Sequence, residues 1–176
     1  MRGFRVRGDG SQETPHPGPL PASGARESLA TAPREPVIVV HSLAQAGAAL
    51  RAAVRACRPV VLASPPGAGS YVGPGWFREV VALAREAVPE ARFSALLDCS
   101  DEVGAALAAL RAKVEGVVFT GRSDVACRLA DIARQHGVRF VTEQPVAALD
   151  LGDDFFASPE TVEQRCAELL TRPGNG

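Results

Sequence analysis

Runs of apolar residues alternate along the chain with stretches in which apolar positions recur every three or four residues. The runs are VIVV (37–40), PVVLA (59–63), RFSALL (92–97), EGVVFT (115–120) and VRFVT (138–142). Continuous apolar runs rich in β-branched residues are typical of strands that are buried on both faces of a parallel sheet. The pattern therefore predicts five buried strands.

The segments between the runs have the spacing of amphipathic helices. Ser42, with Gln45 three residues later, forms a capping-box pattern at the start of the first helix. A loop rich in glycine and proline, residues 64–75, precedes a helix over about 75–88, and Tyr71 is expected to pack beneath this loop. Alternating strands and helices favour right-handed crossovers and a parallel sheet.

Serines also mark the starts of the later helices. Ser100 and Ser123 are predicted caps of the two helices that follow the third and fourth strands. Ser158, followed by Pro159, begins a last helix over about 159–171. The sequence thus predicts one α/β domain over residues 36–172.

Composition narrows the classes of function. The chain is 46% hydrophobic and has a net charge of −1, which does not favour binding to nucleic acid or to an anionic membrane. No apolar run approaches the roughly 18 residues of a membrane span. Four cysteines without a C-x-x-C pair indicate reduced thiols, so we expect a cytoplasmic protein.

Residues 1–35 differ in composition from the rest of the chain. They are rich in proline, glycine, serine and arginine and show no hydrophobic period, which predicts a disordered tail. The run PHPGPLPASGARE resembles translated repetitive elements of bacterial genomes and implies a translation start downstream of Met1. Because Met1 is the only methionine, such a start would use a non-standard codon, for instance at Leu29 or Val37.

Five strand-end motifs together resemble a known family. In order they are VIVVHSLAQ, PVVLASPPGAGSYVGPGWF, LLDCSDE, VEGVVFTGRSD and GVRFVTEQP. This succession is similar to the first half of the class II, metal-dependent fructose-bisphosphate and tagatose-bisphosphate aldolases. That family has a P-V-I-L-Q-x-S-P-G-A strand, a tyrosine–glycine loop, and then strands ending L-D-H-G, I-D-G-S and V-E-A-E. The resemblance covers about residues 36–145.

The resemblance implies a fold and a site. The family fold is an eight-stranded barrel, so we expect half of a TIM-like barrel or, alternatively, a flavodoxin-like open sheet of about five strands. By resemblance Asp98 corresponds to the catalytic aspartate that handles a proton, and Cys99 to a metal-binding histidine. Glu143 corresponds to the second glutamate of the V-E-A-E strand.

A metal site is one interpretation of this strand-end rim. His41 ends the first predicted strand on the same rim, so Cys99 and His41 could bind zinc together with Asp98 or Glu143. The other interpretation is a polar rim that remained after an ancestral site was lost. Asp98 would then cap the next helix or bind loop amides.

Departures from the family pattern point to lost catalysis. Pro65 replaces a substrate-contacting serine, Ala63 a glutamine, Thr120 an aspartate, and Ser100 the glycine after the metal histidine. Only about thirty residues follow the fifth strand, so the later barrel strands with two further metal histidines have no counterpart. The sequence therefore predicts an aldolase-like protein without aldol cleavage.

Two glycine-containing segments are candidates for binding a phosphorylated ligand, because backbone N–H groups at helix starts attract anions. They comprise Gly67, Gly69 and Ser70 in the first loop, and Gly121, Arg122 and Ser123 after the fourth strand. Neither segment matches a standard phosphate motif, and ordinary turns are the alternative. Three functions stay open: binding of a small ligand, a residual metal-dependent lyase acting as an oligomer such as a homodimer, and a non-catalytic interaction protein.

Overall fold

The computed structural model describes residues 35–171. Strands and helices alternate through this range. In chain order the elements are β1 (Val37–Val39), α1 (Leu43–Arg55), β2 (Val60–Ala63), α2 (Ala68–Tyr71), α3 (Gly73–Ala87), β3 (Phe93–Asp98), α4 (Val103–Arg111), β4 (Gly116–Val118), α5 (Ser123–His136), β5 (Arg139–Val141), β6 (Ala147–Asp150), a 3₁₀ turn (Gly152–Asp154) and α6 (Pro159–Thr171). The predicted α/β class is confirmed. The disordered tail predicted for residues 1–35 lies, apart from Glu35, outside the described residues.

The six strands form one parallel sheet in the order β5-β4-β3-β2-β1-β6. The first five strands are therefore neighbours in the order in which the chain makes them. A flavodoxin-like sheet has the order 2-1-3-4-5, with helices on both faces. The observed order is instead that of a singly wound sheet, in which right-handed crossovers place every helix on the same face.

The sixth strand was not expected from the sequence. It pairs with β1, with Val37 opposite Ala147 and Val39 opposite Asp150, and the register shifts once between these pairs. Its residues AALD are mostly exposed, in contrast to the other five strands. An edge strand that faces solvent needs no continuous apolar run, so the pattern that revealed the other strands is absent here.

A short connection makes the sheet curl. In a flat sheet, β5 and β6 would stand five strand spacings apart, about 24 Å. The chain from Val141 to Ala147 can span at most about 22 Å, even before the stagger along the strands is counted. Because β5 and β6 are the two edges of the sheet, this link draws the edges toward each other and bends the sheet toward a barrel.

The two faces of the curved sheet have separate cores. On the inner face, strand residues alone form a cluster: Val37, Val39, Val61, Ala63, Leu96, Val118 and Val141. The outer face packs against the helices in two larger clusters, which contain strand residues of the opposite parity such as Ile38, Leu62 and Leu97. The inner face has no helix to cover it, so its residues line the concave side of the sheet.

Some helix starts differ from the expected ones. The Ser42 hydroxyl accepts from the Gln45 N–H at 3.2 Å, and the Ser158 hydroxyl from Thr161 at the same distance, as predicted. Ser100 does not cap α4. It adopts a left-handed backbone conformation with φ of 49°, and the helix begins at Val103 after Glu102. Ser123 is the first residue of α5 rather than its cap.

The predicted loop 64–75 contains α2 and the start of α3. None of the helices between residues 35 and 171 is long and apolar enough to cross a membrane.

Gly116 provides a test of the inner face. A Cβ at this position would lie 2.5 Å from Leu96 Cδ2 and 3.1 Å from the Ala95 carbonyl oxygen. We expect Gly116→Ala to lower the free energy of unfolding by about 1–3 kcal/mol, because the inner layer is overpacked. Urea denaturation measures this change.

Gly104 is the matched control for this substitution. A Cβ there meets nothing within 4 Å, and the residue lies in α4. Gly104→Ala should leave stability unchanged or raise it by up to about 1 kcal/mol. Equal effects of the two substitutions would contradict the packing described for the inner face.

Candidate functional site

Asp98, the last residue of β3, holds together the loops at the carboxyl end of the sheet. Its side chain is only 2% exposed. Oδ1 accepts hydrogen bonds from the backbone N–H of Gly67 (2.8 Å), from the N–H of Ser100 (2.8 Å) and from the Ser100 hydroxyl (3.1 Å). The Asp98 N–H in turn donates to the hydroxyl oxygen of Ser64 at 2.9 Å. One carboxylate oxygen thus positions the loops after both β2 and β3.

The second oxygen of the same carboxylate has no such role. Asp98 Oδ2 is buried and has no hydrogen-bond partner among the described residues. Leaving a buried charged acceptor without a donor costs free energy, so such groups are uncommon and call for an explanation. The sequence indicated Asp98 as a candidate but could not show that its two oxygens differ.

Asp98 lines a cavity of about 190 Å³ on the concave side of the sheet, which we call the carboxyl-end cavity. Leu96 and Val118, on neighbouring strands, belong to its apolar wall. Asp98 has the same strand parity as Leu96, which is why its carboxyl group faces this side of the sheet. The lining residues are Val37, Val39, Ala63, Ser64, Pro66, Leu96, Asp98, Val118, Gln144, Pro145, Ala147 and Asp150.

The second polar wall of the carboxyl-end cavity comes from the unexpected sixth strand. Asp150 ends β6 beside β1, and its Oδ1 lies 2.8 Å from His41 Nε2. The same oxygen accepts from the Gly152 N–H at 2.9 Å. Asp150 was missed from the sequence because only the pairing of β6 with β1 places it near Asp98. The strand-end motif LDLG (149–152), similar to the LDCS of β3, is the signal that could have revealed it.

Gln45 fixes this wall to the first helix. Its side chain is buried, accepts from the His41 N–H at 2.7 Å and donates to the Leu151 carbonyl oxygen at 2.7 Å. The capping-box residue identified from the sequence therefore also anchors the chain that follows β6. This contact holds the His41–Asp150 pair in position at the rim.

Cys99 points away from the carboxyl-end cavity. Its side chain is fully buried in the cluster between the sheet and the helices, and a Cβ at Gly69 would lie 2.6 Å from its sulfur. Burial, with a smaller contribution from the charge of Asp98, raises the pKa of the Cys99 thiol to about 12. A thiol with this pKa is protonated at neutral pH and is therefore a poor nucleophile.

The predicted zinc site does not fit this geometry. His41 is engaged by Asp150, and Cys99 lies on the helix side of the sheet. Over residues 35–171 no three histidine, cysteine or acidic side chains gather as a metal site would require. Glu143, predicted by resemblance as a second catalytic acid, is exposed in the link between β5 and β6, one residue before the lining residue Gln144.

The first candidate phosphate loop uses its backbone donors internally. The Gly67 N–H binds Asp98, and the Ser70 N–H donates to the Gly67 carbonyl oxygen at 2.9 Å. Gly67 has φ of 69°, which favours glycine. Gly69 is buried because α2 packs closely on the end of β3. These contacts agree with the alternative interpretation, in which the segment is an ordinary turn.

The second candidate segment is similarly occupied. Arg122 makes a two-point contact with Asp124, at 3.1 Å from Nε and 3.0 Å from its terminal nitrogen. Gly121 lies against the ring of Phe119, where a Cβ would come within 2.5 Å. Ser123 is exposed at the first position of α5. The guanidinium expected to attract a phosphate is therefore already paired with a carboxylate.

Tyr71 lies at the rim rather than beneath the loop. Its side chain is 64% exposed on α2, whereas the sequence predicted that it packs under the glycine-rich segment. Partial burial and, to a smaller extent, the charge of Asp98 raise the pKa of the Tyr71 hydroxyl.

Comparisons with known proteins identify no family: no family model matches the sequence, and no curated protein is similar to it. The resemblance of the strand-end motifs to class II aldolases therefore stays a hypothesis. The function is therefore inferred from the geometry of the carboxyl-end cavity.

The cysteines offer a direct test of this geometry. Cys57 and Cys127 are exposed, whereas burial raises the pKa of Cys99 to about 12 and that of Cys166 to about 11. In the folded protein at pH 8 we expect iodoacetamide to modify the first pair and to spare the second. Peptide mass spectrometry after a timed reaction measures each site.

The same reaction in urea is the control, and there all four thiols should react. Rapid modification of Cys99 in the folded protein would show that its sulfur is accessible. It would also reopen the predicted role of Cys99 as a metal ligand.

Proposed function

We propose that this protein binds a small organic molecule in the carboxyl-end cavity, with Asp98 Oδ2 as the polar anchor. The observation that carries the proposal is a buried carboxylate oxygen that lacks a partner among the described residues and belongs to a residue that lines a cavity. A ligand with a hydrogen-bond donor would satisfy this oxygen. Oδ2 exposes less than 1 Å² of surface, so a ligand donor reaches it only when the adjoining cavity wall shifts, while the contacts of Oδ1 keep the loops attached.

The dimensions of the cavity restrict the ligand. Its volume of about 190 Å³ corresponds to about six water molecules, and drug-sized ligands occupy about 300–1,000 Å³. The wall opposite the polar groups is formed by valine, alanine and leucine side chains of the inner face. The cavity suits a molecule with one polar end and a short apolar body.

We propose that this chain shares ancestry with the class II aldolases but not their activity. Asp98 ends its strand where that family has a catalytic aspartate, and a curved sheet with sequential strand order is compatible with part of a barrel. A divalent metal would supply the polarisation of a ketose carbonyl. Because Cys99, His41 and the nearby acids do not form a ligand set, we propose a binding protein without aldol cleavage.

The charges around the carboxyl-end cavity disfavour the phosphorylated ligand that the sequence suggested. Both acidic residues of its wall, Asp98 and Asp150, would repel a phosphate. The lining residues include no lysine or arginine that would offset this repulsion, and the backbone N–H of Gly67 is already bonded to Asp98. We therefore propose a ligand without a phosphate group.

A panel of small molecules tests ligand binding without assuming its class. We expect amide resonances of Ala63, Leu96 and Val118 to shift in ¹H–¹⁵N spectra with at least one class among polyols, amines and carboxylates, and not with sugar phosphates. Ala63→Leu should abolish the shifts because the added methyl groups fill the cavity. The 18.4 kDa chain is suited to this measurement.

Ala82→Leu is the matched control, since Ala82 lies on the exposed side of α3 and lines a separate cavity. It should bind as the unaltered protein does. Persistent binding in Ala63→Leu would place the ligand elsewhere. Silence across the whole panel would overturn the proposal and favour an interaction protein that acts without a small ligand.

A further inference from the structure

We infer that the ligand of the carboxyl-end cavity is a small organic cation, an alkylammonium with a short apolar chain. This inference rests on the proposed function, because it names the class of molecule that the same cavity binds. The charge balance of the buried acids and the composition of the cavity wall both favour a cation.

Asp98 differs from the other buried acids of the described chain. Glu163 accepts from Arg51 Nε at 2.8 Å and also contacts Arg55, and Asp154 pairs with Arg165. Each of these acids has a cationic partner, which is how proteins ordinarily accommodate buried carboxylates. Asp98 is the most buried of the three, yet its partners are backbone N–H groups and a serine hydroxyl, all neutral.

The wall of the cavity supplies no compensating charge. Its described lining residues include two acids, Asp98 and Asp150, and no lysine or arginine. His41 faces Asp150 at 2.8 Å. The remaining wall is mainly apolar, so the field of Asp98 is weakly screened inside the cavity. A positive charge brought to Oδ2 would therefore be attracted more strongly than a neutral donor of the same size.

The two acids should not contribute equally. Asp98 is 2% exposed, whereas the Asp150 side chain is 54% exposed and already bonds to His41 and Gly152. Exposed carboxylates are screened by water and attract cations weakly. The ammonium group is therefore expected at Asp98, with its alkyl chain along the apolar inner face near Leu96 and Val118.

The shape of the site agrees with this class. An ammonium group offers three N–H donors, of which one satisfies Oδ2, and the Gln144 and Asp150 side chains, which also line the cavity, provide further acceptors. A four-carbon amine has five non-hydrogen atoms and fits a volume of about six water molecules. An alcohol of the same length would satisfy Oδ2 but would leave its charge unbalanced.

Four probes of equal chain length test the inference: n-butylamine, n-butanol, butyrate and n-butyl phosphate. Isothermal titration calorimetry and thermal shift on the full chain measure their binding at pH 7. We expect the amine to bind at least about tenfold more tightly than the alcohol, because hydrogen bonds between charged groups are the strong ones. Butyrate and butyl phosphate should not bind.

Substitutions then test which carboxylate attracts the amine. Asp98→Asn keeps an oxygen for the Gly67 and Ser100 donors, and it should weaken amine binding at least about tenfold. Asp150→Asn should weaken it less. Asp124→Asn removes one negative charge at an exposed position and should change nothing. The comparison of the four probes with the unaltered chain does not depend on the folding of any variant.

The outcomes separate this inference from the proposed function. Equal binding of amine and alcohol, or tighter binding of either anion, would overturn the cation while leaving a ligand-binding cavity. Amine binding that Asp98→Asn does not change would also overturn it. If no probe binds and the wider panel produces no shifts at Ala63, Leu96 or Val118, the proposed function fails together with the inference, and Oδ2 is hydrated only by water.

Discussion

The short link between β5 and β6 is the constraint on which the carboxyl-end cavity depends. A flat sheet of six strands could not be joined across its edges by residues 142–146, so the sheet curls. Curling encloses the inner face, which has no helices of its own, and brings β6 to the free side of β1. The same geometry brings Asp150 and Gln144 to the cavity that Asp98 lines. The cavity is therefore a consequence of topology rather than of any single loop.

Asp98 has an observed structural role and a proposed ligand-binding role, each carried by a different carboxylate oxygen. Through Oδ1 it fixes the loops that follow β2 and β3, and this role alone accounts for a buried acid at a strand end. Oδ2 adds nothing to that structural role. Because the two oxygens are chemically equivalent in solution, their inequality is imposed by the fold. It is this inequality that distinguishes a ligand-binding carboxylate from a helix or loop cap.

The sequence predicted what local patterns can encode. Five strands were predicted from continuous apolar runs, because each of them is buried on both faces. The capping box of Ser42 and Gln45 predicted the start of α1. Asp98 was found because it ends such a run. The solvent-facing β6 gave no comparable pattern, and Asp150 joins the cavity only through a pairing between strands more than 100 residues apart.

For the glycine-containing loops, the sequence predicted a binding role that depends on donors being free. The predicted anion sites assumed that backbone N–H groups at Gly67 and the Arg122 side chain would be free for a ligand. The structure gives the first to Asp98 and the second to Asp124. The first contact joins residues 31 positions apart and is a tertiary property, whereas the second is local, between residues two positions apart. Composition of a loop alone therefore predicts a turn better than it predicts a ligand.

A change at the residue after Asp98 connects the aldolase resemblance with the proposed ligand. If the ancestor carried a metal-binding histidine there, its divalent cation balanced the charge of the neighbouring aspartate. With Cys99 buried on the helix side, nothing among the described residues replaces that charge. With such an ancestor, the loops would still have required Asp98 through Oδ1 after its counter-ion was lost. A small cation from solution would restore the balance at the same end of the sheet, without metal chemistry.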